Sequence, residues 1–112
     1  MATFTGACSI DDVRRAYEQI GADHRFDDLQ YQIFDYLGVT EHDVTEEQVE
    51  EIVALDFAQF LSNPDVVHVQ VSADPRIDHL IGLYIQHNAN PDRQYHCNSL
   101  KQARAWIRAT LG

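Results

Sequence analysis

Six histidines, two cysteines and eighteen acidic residues give this 112-residue chain many groups that could bind a metal or move a proton. Spacing decides which of them can act together. His79 and His87 share one side of a helix, but a rise of about 1.5 Å per residue holds them about 12 Å apart, too far for one ion. His68 and His96 fall on the polar parity of two strands, and neighbouring strands lie about 4.8 Å apart, so two ligands are within reach. No third ligand follows from spacing, and no metal site is expected. Cys97 follows His96 along a strand and points to the opposite face, so their adjacency makes no catalytic pair. Cys8 and Cys97 are too few for a disulfide framework and are not spaced as a zinc knuckle. A nucleophile elbow, a phosphate-cradling glycine loop and a paired-carboxylate motif are all missing. The expectation is a chain that is not an enzyme and carries no cofactor.

Asp56 is the unusual residue. On a helical wheel it falls among Val49, Ile52, Val53 and Phe60, in the middle of an apolar stripe. A carboxylate there is either paired or raised in pKa. It reads as an acid poised in a pocket or as a buried anchor for loop N–H groups, and the anchor is preferred because spacing places no base beside it.

The elements that must position these groups follow from periodicity and caps. Thr3 to Cys8 alternates as a strand, and Ser9 with Asp11 and Asp12 opens a helix whose apolar face is Ile10, Val13, Tyr17 and Ile20. Ala22 to Asp28 reads as a polar connection. Leu29 to Asp35 alternates apolar residues with Gln30 and Gln32 and is broken at Gly38, a second strand. Thr45 and Gln48 form a capping box for a helix reaching about Leu61, where Asn63-Pro64 stops it. Val66 to Ser72 is a third strand. Asp74-Pro75 starts a helix bearing Ile77, Leu80, Ile81, Tyr84 and Ile85. Gln94 to Cys97 is a fourth strand, and Ser99 with Gln102 opens a last helix.

The order βαβαβαβα implies a single α/β domain over residues 1–112, a (βα)4 superhelix with a mainly parallel four-stranded sheet and helices largely on one face. Each strand also has a polar parity: Thr3/Thr5, Gln30/Gln32, His68/Gln70 and Gln94/His96. This pattern predicts that the polar face carries no helix. Ligands of parallel sheets gather beyond the carboxyl ends of the strands, here Cys8/Ser9, Asp35 to Thr40, Ala73/Asp74 and Asn98/Ser99. Ser9, Asp74, Ser99 and Thr45 are read first as caps.

A net charge of −10 leaves no basic stripe for phosphates, which excludes nucleic acid and anionic membranes as partners. No apolar run approaches the roughly 20 residues of a membrane span, and the first residues lack a signal-peptide layout. The expected location is cytoplasmic.

Asp35-Tyr36-Leu37-Gly38-Val39-Thr40 running into a capped helix resembles the strand-loop-helix segment of STAS domains, the module of anti-sigma-factor antagonists and sulfate-transporter tails. Ser99 to Ile107 is similar to the end of small SpoIIAA-like proteins, and Asp74-Pro75 with Gly82 and Tyr84 fits the same group. The resemblance spans nearly the whole chain on short, structural motifs. It implies a fold shared with CRAL-TRIO lipid-transfer domains. STAS antagonists carry a phosphorylatable serine near Asp43-Val44-Thr45, where Thr45 is the nearest hydroxyl and the candidate phospho-acceptor. Many relatives have a strand before the one at Thr3, so that strand is expected at an unprotected edge.

The resulting expectation is a non-catalytic regulatory or protein-interaction module that binds a protein partner or its own copy as a homodimer. The alternative is a carrier of a small apolar or lipid-like ligand. Asp35, Thr40, Thr45, Asp56, Asp74 and Tyr84 are the candidate ligand or partner residues. Leu55 and Leu83, outside the core stripes of their helices, are expected to be free for a second copy.

Overall fold

Capping side chains set the helix starts before tertiary contacts act. Ser9 with Asp12 and Thr45 with Gln48 form reciprocal boxes, and Asp74 and Ser99 each accept from a first-turn N–H. The structure, a computed structural model describing residues 1–112, runs β1 (Ala2–Cys8), α1 (Ile10–Ala22), β2 (Tyr31–His42), α2 (Glu46–Ser62), β3 (Val67–Val71), α3 (Pro75–Gln86), β4 (Gln94–Cys97) and α4 (Leu100–Leu111). The connection between α1 and β2 is not wholly polar. It holds a 3-10 turn at Phe26–Asp28 that buries Phe26, pinned where Asn63 donates to the Phe26 and Leu29 carbonyls at 2.8 and 2.9 Å.

The four strands pair in parallel in the order β1-β2-β3-β4, so the fold is the α/β (βα)4 arrangement with helices largely on one face. Helices α1, α2 and α3 each join one strand to the next in the same direction, and right-handed crossovers of that kind share one face, here called inner. Helix α4 follows β4, joins no further strand and packs on the outer face. Two cores result. Phe4, Val13, Tyr17, Phe34, Ile52 and Tyr84 fill the inner layer, and Ile33, Val69, Val71, Cys97 and Ala103 fill the outer one. The outer layer is closed by Trp106, stacked on Tyr95 with ring centroids 4.5 Å apart.

The polar parity of β2 and β3 does not lie open, and this corrects the sequence expectation, although Thr3 and Thr5 of β1 are exposed. Gln32, His68 and Gln70 are buried on the inner side, below α1 to α3, while the all-valine parity of β3 faces α4. Alternation was read as one face in water, but β3 is buried on both faces. Of its polar side chains, His68 meets a carboxylate reaching down from α2. Leu55 and Leu83 are not free either, since both pack against the inner core.

Strand β2 runs through Gly38 to His42 instead of breaking there. Its pairing with β1 slips twice, from Thr3↔Asp35 to Thr5↔Gly38 and from Gly6↔Val39 to Ala7↔Glu41. Each slip puts an extra residue into β2 and inverts the side-chain alternation beyond it. Tyr36, Val39 and His42, three residues apart, therefore all face inward. Gly6, at φ +66°, gives β1 the left-handed backbone it adopts opposite Val39. Gly38 admits no side chain: a Cβ there would stand 2.8 Å from Thr5 Cγ2 and 3.2 Å from the Phe4 carbonyl oxygen.

Gly38→Ala should therefore destabilise the fold by about 1–3 kcal/mol in urea denaturation. Gly82→Ala, in open space within α3, should stabilise it by about 0.5–1 kcal/mol. Equal effects at the two positions would show that the β1–β2 approach is not tight.

Candidate functional site

Three helix starts converge at the carboxyl end of the sheet. Ile10 opens α1, Val49 sits in the first turn of α2 and Ile77 in that of α3, and together with β1 and β2 they enclose a cavity of ≈ 80 Å³, open on one side. Thirteen of its fifteen lining residues are apolar, so whatever enters is held by burial rather than by charge. The other two are His42 and Gln70. Both ring nitrogens of His42 are shielded from solvent and have no partner.

Tyr17 and Tyr84 form part of the cavity wall and also the top of a buried polar network. The Tyr17 hydroxyl donates to the Tyr84 hydroxyl at 2.9 Å. The Tyr84 hydroxyl lies 3.5 Å from His68 Nδ1. His68 Nδ1 lies 2.7 Å from Asp56 Oδ1. Asp56 Oδ2 accepts from Asn88 Nδ2 at 2.6 Å and from Gln94 Nε2 at 3.4 Å. Asp56 thus ties α2 to β3, to β4 and to the loop after α3, where Asn88 Oδ1 accepts from the Asn90 N–H. Burial alone would raise the Asp56 pKa, but the His68 hydrogen bond and charge, helped by Asn88 and Tyr84, hold it below the ordinary carboxylate range. Burial pushes both phenols well above their usual value, with the Asp56 charge adding to it, so they stay protonated donors.

The His68 ring does not reach the cavity. It is 2% exposed, lies edge-on to Phe34 and Tyr17, and touches only a separate void of ≈ 10 Å³, about one water in size. His96 is held by Asp78 at 3.0 Å, so the two strand histidines do not face a common ion. No group of three or more His, Cys, Asp or Glu side chains is placed to hold a metal.

The residues singled out from sequence separate into three places. Tyr84 and Asp56 belong to the network. Thr45 and Asp74 are helix caps, with Thr45 Oγ1 accepting from the Gln48 N–H at 3.3 Å and Asp74 Oδ1 from the Arg76 N–H at 2.9 Å. Asp35 is buried within β2, accepting from the Leu37 N–H at 2.9 Å, and Thr40 is exposed further along the same strand. Neither lines the cavity. Sequence reasoning missed Tyr17, His42, Gln70 and Asn88. Tyr17 and Tyr84, polar-tipped aromatics on the buried faces of two helices, carried a readable signal, since such hydroxyls need partners when buried. His42 carried none, because its direction depends on the slips in β2.

Comparison with known proteins finds no family model, curated protein or solved structure that matches this chain.

Folding favours the ionised Asp56, so its contribution is complete above the ordinary carboxylate pKa of about 4 and is lost as pH falls through the lower folded value. Asp56→Ala should lower stability at neutral pH by about 3 kcal/mol, and surface Asp11→Ala by less than about 0.5 kcal/mol. Chemical denaturation between pH 7 and pH 2 should show a shallower acid loss in Asp56→Ala than in the parent. Parallel curves would mean that Asp56 does not titrate as its surroundings dictate.

Proposed function

We propose that this chain is a non-catalytic STAS-like module that carries or senses a small apolar ligand in the inner-layer cavity. The observation that carries this reading is the ≈ 80 Å³ apolar cavity at the carboxyl end of the sheet, the place where parallel sheets hold their ligands. The non-catalytic part is supported by the network, in which the Asp56–His68 pair is sealed behind Tyr17 and Tyr84 and away from any group that could enter. Of the readings drawn from the resemblance, the carrier is therefore favoured over a module that works only through protein surfaces. A toluene titration followed by methyl NMR tests it. Shifts should concentrate at Val49, Ile52 and Ile81, and Val13→Phe, which fills the cavity, should abolish them. Shifts scattered over the surface, or unchanged in Val13→Phe, would overturn the reading.

A second reading, pairing with another copy, is favoured by one observation. Helix α4 covers β4, β3 and only part of β2, which leaves Thr3, Thr5 and Leu37 exposed beside an unpaired β1 edge. Two-fold dimers are the commonest way to cover such an edge. Because each copy carries −10, added salt should strengthen the association. Sedimentation at micromolar concentration should show a dimer fraction that grows from low to physiological salt. A single monomeric species in both would exclude self-pairing.

A further inference from the structure

We propose that the cavity takes an apolar molecule bearing one neutral group that both donates and accepts hydrogen bonds, an alcohol or a carboxamide, and that the Gln70 side chain binds that group. This rests on the cavity-binding reading and adds the polar end of the guest.

Gln70 is the unusual member of the lining. It rises from β3, on the sheet side of the cavity, and is 2% exposed, yet its carboxamide makes no hydrogen bond. Other glutamines of the interior are engaged: Gln32 donates to the Ile33 carbonyl, Gln59 to the Tyr17 carbonyl and Gln94 to Asp56. The neighbours of Gln70 on its own face turn elsewhere. Phe34, its partner in register on β2, is apolar, and His96, its partner on β4, is held by Asp78 at 3.0 Å. Along β3, His68 Nδ1 faces Asp56, and the Ser72 hydroxyl accepts from the Asp74 N–H at 3.2 Å.

The carboxamide is open to the space beside it. Side-chain atoms that are both sealed and unpartnered occur at His42, Gln59, His68 and Gln94, and Gln70 is not among them. The space it meets is the cavity it lines. His42 is the contrast, since both its nitrogens are shut off and the ring offers a guest only carbon surface. An amide kept unmatched in an apolar wall costs stability, and marks a place whose match comes from outside the chain.

A carboxamide presents one carbonyl and two N–H groups in a plane, and a partner that both donates and accepts uses both ends. A hydroxyl and a second carboxamide meet that need, whereas an ether or a ketone leaves the Gln70 carbonyl unmatched. An ionised head is disfavoured by the wall itself, which holds no Asp, Glu, Lys or Arg to balance it. Size bounds the rest of the molecule. A cavity of about 150 Å³ accepts benzene, so ≈ 80 Å³ encloses the polar end with a short chain or the edge of a ring, and the remainder stays at the open side.

Toluene, benzyl alcohol and benzoate share one ring and differ in the group offered to Gln70. Titrated at neutral pH and followed by NMR shifts of the Ile81 methyls, benzoate should bind at least about ten-fold more weakly than benzyl alcohol. Gln70→Met keeps the length of the side chain and removes the amide. It should weaken benzyl alcohol by about five-fold, the worth of one hydrogen bond, and bind toluene at least as tightly as the parent does. Because the amide holds no part of the fold, Gln70→Met should unfold at the parent's urea midpoint or above it. A lower midpoint, benzyl alcohol unaffected by Gln70→Met or weakened no more than toluene, or benzoate as tight as the alcohol would each overturn the head-group assignment, while toluene binding to the parent would keep the cavity reading. Binding of none of the three would overturn both.

Discussion

A carboxylate placed among apolar side chains must be matched, and in this chain the matching of Asp56 organises the inner layer. Left unpaired, the group would cost several kcal/mol; it is met by an imidazole and two amides drawn from β3, the loop after α3 and β4. Each partner is held in turn. Tyr84, whose hydroxyl lies 3.5 Å from His68, accepts from Tyr17, and the Tyr17 carbonyl accepts from Gln59 at 2.7 Å. The polar inner parity of the strands, unusual beneath three helices, is the sheet's share of that match. A purely apolar inner face would leave Asp56 without His68.

The cavity follows from the same layer. Large rings committed to the network leave space above them toward the helix starts, and the two slips in β2 turn Val39 and His42 into that space. Irregular strand pairing beside a ligand site is a recurrent way of re-aiming side chains without moving the scaffold. The acids of the first turns, Asp11, Asp12, Glu46 and Glu47, stabilise the helices that frame the cavity through their dipoles.

The sequence carried the order of elements clearly, because Thr45-Gln48 and Asp74-Pro75 punctuate the chain by local chemistry alone. It also carried the place of Asp56, since a wheel needs only the period of the helix. The faces of the strands were not readable in the same way. Alternation says that His68 and Gln70 share a side, but whether that side meets water or a layer of partners depends on Tyr17, Tyr84 and Asn88, which lie far away in sequence. A fixed period of two also cannot cross the slips at Thr3/Thr5 and Gly6/Ala7, so the inward turn of His42 had no local signature. Leu55 and Leu83 were misjudged for a related reason: the inner layer is three helices wide, and helices at such a seam bury more than one stripe.

The strand order β1-β2-β3-β4 has a consequence for how the chain assembles. Every strand pairs with the one made just before it, so no strand has to insert between two that are already joined. Loops closed at each step stay short, which keeps the entropy of ordering low at every addition. During synthesis the inner layer can grow one βα unit at a time, each unit templated by the exposed edge of the last. Only the outer layer must wait, because Ile33, Val69 and Val71 have no cover until α4 arrives. Until then that apolar strip is the surface through which nascent copies would stick to one another.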